Sequence, residues 1–297
     1  MASLSDPLDP LSDSALAALD LVADGPAFTS LNSRLRPVRR TGRGPSGGKL
    51  LLKLPRRGSD EARFGPPALA AFAGPAMVRL VGMVETDAGP AQVLQRLVPG
   101  ERLDTLSRAG NDDRATEILG RLMAALHVPP PAGAGAPPFQ TLADVTATLH
   151  RPAAAPALAP WSGLLDRARS LCHDLLASPP SPPLLLHGDL HHENVLRHDD
   201  GDGGRWIAID PWGVTGEGAA DGAALLQNPD GPAAAHLFGP AALARRLAIL
   251  AETTGYDRQR LAMWGLVLNA VSLVWHHQDR TPPRAGLAVV DSLARLI

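Results

Sequence analysis

Cysteine is all but missing from this chain of 297 residues. Cys172 stands alone, so no intramolecular disulfide can form and no zinc site built on thiolates is available. It sits in LLDRARSLCHDLL, whose apolar positions recur at helical spacing, and reads as a buried structural thiol rather than a nucleophile. Lysine is nearly as scarce: only Lys49 and Lys53 among 28 basic residues, the rest being arginine. A compact ammonium kept against that bias suits a place where a guanidinium fork would not fit. There is also no excess of positive charge. The formal net charge is -2, so the chain has no broad cationic field and nucleic acid is excluded as the main partner, whereas a small cationic substrate is compatible. No stretch reaches the ~18 uninterrupted apolar residues of a membrane span, and MASLSDPLDPLSDSALAALDLV lacks the cationic start and continuous apolar core of a signal peptide. The chain is read as cytoplasmic, without a membrane partner.

What is present is ordinary globular material, 45% hydrophobic and 20% charged, with abundant Ala, Gly and Pro and few aromatics. The length exceeds the usual size of one compact core, so two lobes are expected, residues 1–96 and 97–297. In the first, residues 11–23 read as a short amphipathic helix and 28–38 as a strand, before a turn-rich RRTGRGPSGG. KLLLKLP then places Lys53 in an apolar run bounded by Gly-Gly and Pro, the pattern of a buried strand. SDEAR starts a helix that Gly65, Pro66 and Pro67 should break. MVRLVGMVET and AQVLQRLVPG are two further strands with a Gly-Pro turn between them. The second lobe reads as mainly helical: RATEILGRLMAALHV up to Pro129, a PPPAGAGAPPF loop, helices near 141–150 and 161–177, brief strands at PPLLLHGDL and RWIAID, and helix from Ala241 to the end. The fold class is therefore α+β, a small mainly-β lobe with one helix followed by a larger helical lobe.

Three distances carry the chemistry. Within HGDLHHENVL, Asp189 and Asn194 are five residues apart, and Asp210 ends the strand WIAID 21 residues after Asp189. That is the spacing of phosphoryl transfer: a loop aspartate takes the proton of the attacking hydroxyl, an asparagine five residues on holds magnesium, and an aspartate at the end of a following strand holds magnesium against the ATP phosphates. A hard divalent cation wants such carboxylate and amide oxygens. Lys53 is the strand lysine for the α- and β-phosphates, Glu61 is the candidate to pair with it, and VLQRLVPGERL supplies a hinge in which Gln95 to Leu97 would read adenine. His187, Asp189, His191 and His192 could in principle ligate zinc as in a hydrolase, but four ligands within six residues do not readily converge on one ion. His187 is better read as packing the loop.

HGDLHHENVL followed by WIAIDPWGVTGE, with AMVRLVG before the hinge, resembles the aminoglycoside phosphotransferase superfamily, and within it the streptomycin 6-kinase and hydroxyurea phosphotransferase branch, over roughly residues 28–290. The resemblance implies a bilobal protein-kinase-like fold, ATP as donor with Mg2+, Asp189 as catalytic base, Asn194 and Asp210 as metal ligands, Lys53 and Glu61 at the phosphates, and Asp221 as the acid that accepts hydrogen bonds from the catalytic-loop backbone. Many members carry an acid where this sequence has Gly65; here Glu61 stands one turn earlier. The implied acceptor is an aminoglycoside hydroxyl, streptomycin first, and since streptomycin carries two guanidinium groups, Glu193, Glu217 and Asp279 are candidate substrate acids. A kinase of another small hydroxyl compound (hydroxyurea-like, choline or a sugar derivative) and a catalytically weak nucleotide-binding homologue are the alternatives.

Overall fold

The computed structural model describes residues 11, 13–30, 32–41, 48–72, 74–133, 139–150, 160–199, 201, 203–278 and 285–297. The chain divides into two compact units, one of residues 1–101 with 197–212, the other of 102–196 with 213–297. The first unit thus extends past the boundary expected at residue 96 and takes in a segment far along the chain, because strand Arg205–Ala208 and the turn after it pack with the sheet unit: Ala208 bridges Met77, and Val78 donates to the Ala208 carbonyl at 2.9 Å.

In the sheet unit, α1 (Asp13–Ala18) leads into β1 (Leu21–Ala23), then β2 (Phe28–Thr29), β3 (Ser33–Arg40), β4 (Leu50–Pro55), α2 (Asp60–Ala71), β5 (Leu80–Thr86) and β6 (Gly89–Gln95). The sheet order is β1-β3-β4-β6-β5, with β2 on β3. The helix expected over 11–23 stops early, since Asp20 takes a left-handed φ of 55° that turns the chain into β1, where Leu21 pairs with Arg40. Leu50, Leu52 and Leu54 of β4 join Val38, Ala91, Val93, Leu16 of α1 and Leu11 just before it in one core. Side chains alternate along a strand, so Lys53, between two of these leucines, faces the opposite way. Its register partners are Leu35 on β3 and Gln92 on β6. The Gly-Pro pair at 89–90 opens β6 instead of forming the turn, which falls at 87–88.

The expected break in α2 does not occur. Ser59 caps the helix by accepting from the Ala62 N–H at 3.2 Å, Asp60 and Glu61 occupy the first turn, and the helix runs through Pro66 and Pro67. Prolines in a helix interior each cost about 3 kcal/mol. Burial of Phe64, Gly65, Ala68 and Leu69 along one face offsets that cost, so tertiary packing overrides local propensity.

The second unit is mainly helical: Asp104–Arg108, Asp112–Leu126, Leu142–Thr146, Ser162–Ala177, Ala223–Leu226, Pro240–Thr254, Arg258–Gln278 and Gly286–Ala294. A small sheet sets Val214–Gly216 antiparallel to Leu184–Leu186 and parallel to Gln140–Thr141. Its core includes Trp264, at 1% exposure, and Cys172, whose thiol is free and pushed up by burial. At its centre lies a buried ion pair. Arg246 donates through Nε and Nη2 to both oxygens of Asp112, at 2.9 and 2.7 Å, and through Nη1 to the carbonyl of Asn228 at 2.8 Å. Burial would raise the Asp112 carboxyl, but the hydrogen bond and charge of Arg246 hold it below the ordinary range. Among the described residues, no helix is long and apolar enough to cross a membrane.

Candidate active site

In the sheet unit, Lys53 is 2% exposed and its ammonium meets two carboxylates. It pairs with Glu61 Oε1 from α2 and lies 2.7 Å from Asp210 Oδ1, in the turn after Arg205–Ala208. Burial alone would depress the ammonium, yet the charges and hydrogen bonds of Asp210 and Glu61 hold it above its ordinary value. Lys53 is therefore a fixed cation. Glu61, one turn before Gly65, does reach the lysine. Gly65 itself stands where a Cβ would lie 3.6 Å from Gln92 Nε2, against β6. Ser33 completes the cluster by donating its hydroxyl to Glu61 Oε1 at 3.0 Å; in SLNSR nothing but its place at the start of a strand could have marked it.

Asp210 takes φ = 57°, the left-handed region that a non-glycine residue rarely adopts, and such backbone strain concentrates at functional sites. Farther along β6 the Gln95 side-chain amide meets His198 Nε2 at 3.1 Å, while the Val98 N–H donates to His198 Nδ1 at 3.2 Å. Leu97 is buried between these contacts in sequence. His198 thus ties down both ends of the segment Gln95 to Val98, a contact its sequence gives no sign of.

In the helical unit, Leu184–Leu186 delivers the chain to His187. Gly188 then turns with φ = 82°, a conformation that suits glycine, and exposes Asp189, whose side chain is 53% accessible. Asn194 folds back over the loop and donates Nδ2 to the Asp189 carbonyl at 2.9 Å and to its Oδ2 at 3.2 Å. The sequence spacing of five thus becomes a direct contact. His191 Nε2 lies 3.6 Å from the same oxygen, and His191 Nδ1 accepts from the Glu193 N–H at 3.2 Å. Beneath the loop, Asp221 accepts from the N–H groups of His187 at 3.0 Å and Gly188 at 2.7 Å. His187 is fully buried and its Nδ1 accepts from the Asp189 N–H at 3.3 Å.

The candidate substrate acids separate. Glu193 is partly exposed and lies 3.5 Å from Arg102 Nη1. Glu217 departs from the expectation: its side chain is 4% exposed and both its oxygens accept from Arg260, at 2.5 and 2.6 Å, so its charge is already neutralised internally. Nothing in the sequence marks Arg260 as its partner, and the burial of Glu217 explains why an acid there does not make an open pocket wall. Asp279 lies outside the described residues. Among the described residues, no group of three or more His, Cys, Asp or Glu side chains is arranged to hold a metal ion.

For magnesium, the donor chemistry fits. Asn194 commits its amide nitrogen to Asp189, which leaves Oδ1 as the atom able to serve a cation, and Asp210 gives Oδ1 to Lys53 and keeps Oδ2. Each, within its own unit, offers a hard oxygen of the kind Mg2+ takes.

Solved structures share this architecture. The chain aligns with a choline/ethanolamine kinase family protein from Mesorhizobium loti at TM-score 0.58 and 18% identity, covering 92% of this chain and 87% of that one. An aminoglycoside phosphotransferase from Streptomyces rimosus aligns at TM-score 0.56 and 18% identity, covering 88% and 96%. The fold is thus the protein-kinase-like α+β fold expected from the motifs. The model of the aminoglycoside/hydroxyurea antibiotic resistance kinase family matches residues 19–280, and the chain belongs to that family. Among curated relatives, it is 36% identical to a streptomycin 3''-kinase of Klebsiella pneumoniae over 93% of this chain and 97% of the relative, and 30% identical to a streptomycin 6-kinase of Streptomyces glaucescens over 97% and 87%.

Proposed function

We propose that this kinase transfers the γ-phosphate of ATP to a hydroxyl of streptomycin. The observation that carries the reading is the exposed Asp189 carboxylate, oriented by Asn194 on a loop whose amides end on Asp221. In this mechanism Asp189 accepts the proton of the acceptor hydroxyl as its oxygen bonds to the γ-phosphorus and the bond to the β,γ-bridging oxygen breaks, releasing ADP. Lys53 holds the α- and β-phosphates, with Glu61 fixing the ammonium, and Gln95 to Leu97 bind the adenine edge. Asn194 and Asp210 would hold Mg2+, which when bound would neutralise phosphate charge. The chemistry is one of positioning and charge stabilisation, with no covalent enzyme intermediate.

Streptomycin is chosen because the curated relatives that cover nearly the whole chain are streptomycin kinases, and because its two guanidinium groups suit a partly exposed acid such as Glu193. A kinase drawing on cellular ATP belongs in the cytoplasm. The test is an ADP-release assay with Mg2+ and a panel of streptomycin, other aminoglycosides, hydroxyurea and choline, followed by NMR of the product. Release dependent on streptomycin supports the reading, and the phosphorylated carbon distinguishes a 3'' from a 6 acceptor. Release with choline or hydroxyurea alone overturns it.

A further inference from the structure

Asp221 does not end the hydrogen bonding beneath the catalytic loop. Its Oδ2, which accepts from the His187 amide, also lies 3.1 Å from Nε2 of His127, the residue capping the C-terminus of helix Asp112–Leu126. The other nitrogen of that ring, Nδ1, lies 2.7 Å from the hydroxyl of Tyr256, the one tyrosine in the sequence. The His127 side chain is 4% exposed and that of Asp221 fully buried. We propose that Tyr256 and His127 form a positioning relay for Asp189, with the tyrosine setting the histidine tautomer and the histidine locking the carboxylate that clamps the loop. This rests on the reading of Asp189 as catalytic base.

The chemistry of each contact runs in one direction. A ring nitrogen facing a carboxylate must carry the proton, so Nε2–H donates to Asp221 and, in the neutral ring, Nδ1 is left as acceptor. The tyrosine hydroxyl is suited to donate to it, because burial and the nearby Asp221 and Glu217 push the phenol up and keep it protonated. Asp221 then gathers three donors: His127 and the His187 amide on one oxygen, the Gly188 amide on the other. Burial would raise this carboxyl, but His127, His187 and the Gly188 amide hold it below the ordinary range, so it stays an acceptor. The seat of the tyrosine is itself shaped for it. A Cβ at Gly218 would fall 2.1 Å from the Tyr256 hydroxyl, so a larger residue there would displace the donor.

The His127 and Asp221 side chains are buried and are not offered to substrate. Apolar residues could fill the same space without the desolvation that a buried polar chain incurs. What the polar chain adds is direction: it fixes the two amides that precede Asp189, whose own N–H bonds to His187 Nδ1.

The experiment uses the full chain with Mg·ATP and streptomycin, and compares His127→Ala, His127→Gln and Tyr256→Phe with Asp189→Asn. His127→Ala is expected to lower kcat about 10–100-fold, the range for removing an outer orienting partner, with KM for both substrates unchanged. It also moves the acid limb of the kcat–pH profile upward, because burial then dominates Asp221. His127→Gln, whose amide nitrogen can replace Nε2–H, restores most of kcat and returns the limb. Tyr256→Phe has a smaller effect of the same kind. A His127→Ala protein with unchanged kcat and pH profile overturns the relay, as does a loss that glutamine fails to rescue. Hydrogen exchange at the amides of His187 and Gly188 reads the clamp without activity: it accelerates in His127→Ala if the relay holds, and equal protection overturns it. Wild-type protein inert toward streptomycin, or Asp189→Asn retaining transfer, instead refutes the functional reading, while the exchange measurement still decides the relay.

Discussion

The sheet unit and the helical unit solve the same problem, holding a charge where chemistry needs it, in opposite ways. In the sheet unit the candidate functional groups hold one another: Lys53 is buried and its partners, Glu61 and Asp210, are themselves candidate site residues. In the helical unit the candidate base, Asp189, is exposed, and the buried acid, Asp221, accepts from two backbone amides and a histidine. Under the roles proposed above, the difference follows from what each would meet. A cation for phosphates has a constant ligand and can be fixed by direct ion pairing. A base for a bulky acceptor has to face outward, so rigidity has to come from the backbone below it.

The sharpest break of this comparison is Asp189→Asn. The proposed mechanism requires kcat to fall about 10²–10⁴-fold, the usual contribution of a positioned general base, while ATP still binds by calorimetry. Retained turnover would remove Asp189 from the chemistry. Lys53→Met should cost about 10²–10³-fold in kcat/KM, comparable to deleting one electrostatic donor at a reacting centre, and should weaken nucleotide binding as well. The two variants thus separate along the axis the units define: loss of turnover alone against loss of turnover and binding together.

Arg246→Met probes a buried ion pair that serves no proposed chemistry. Removing one partner leaves Asp112 charged and buried, so about 3–5 kcal/mol of stability should be lost in denaturant melts. The fraction that remains folded should keep its kcat. Asp221→Asn carries the acid side of the comparison. The Asp221 carboxyl is held below its ordinary 3.8, so its contribution to stability is present above that pH and is lost as pH falls through the folded value. The difference in stability between wild type and Asp221→Asn should therefore be greatest near neutral pH and shrink in acid. Lys53 has the reverse sign: its raised value makes its contribution complete below 10.5 and lost as pH rises through the folded value.

The contact of Asn194 with Asp189 was readable because it lies within one tight loop, where few residues must be right. Lys53 stands out against an arginine-rich composition, and the apolar run KLLLKLP between Gly-Gly and Pro marks the buried strand that β4 is. Contacts across long separations were not readable. His127 and Tyr256 are 129 residues apart, and neither lies in a recognisable motif. The helix through Pro66 and Pro67 was misread for a related reason: local propensity predicts a break, and only the buried face of α2 explains its continuity. Glu217 looked like an acid open to substrate because Arg260, its partner 43 residues away, cannot be inferred from sequence.

Glu193 and Glu217 make the finest comparison. Both were read as acids for a cationic acceptor, but Glu217 is locked to Arg260 by two short hydrogen bonds, whereas Glu193 faces Arg102 at 3.5 Å and Arg102 also bonds Asp104 at 2.9 Å. A half-exposed pair of this kind contributes about 0–1 kcal/mol to folding, so Glu193→Gln should leave the melting temperature nearly unchanged. If its carboxylate attracts a guanidinium of the acceptor, the same substitution raises KM for streptomycin by about 2–5-fold, the equivalent of one screened ion pair, with kcat and KM for ATP unaltered. The effect should fade in high salt, since charges at the surface are screened over about 10 Å at 0.1 M. Glu217→Gln should do the opposite, lowering stability by removing the buried carboxylate that Arg260 pairs with, while leaving the salt dependence of streptomycin binding as it is. A Glu193→Gln protein with unchanged KM at low salt would move substrate recognition to other residues and leave Glu193 as a partner of Arg102 alone.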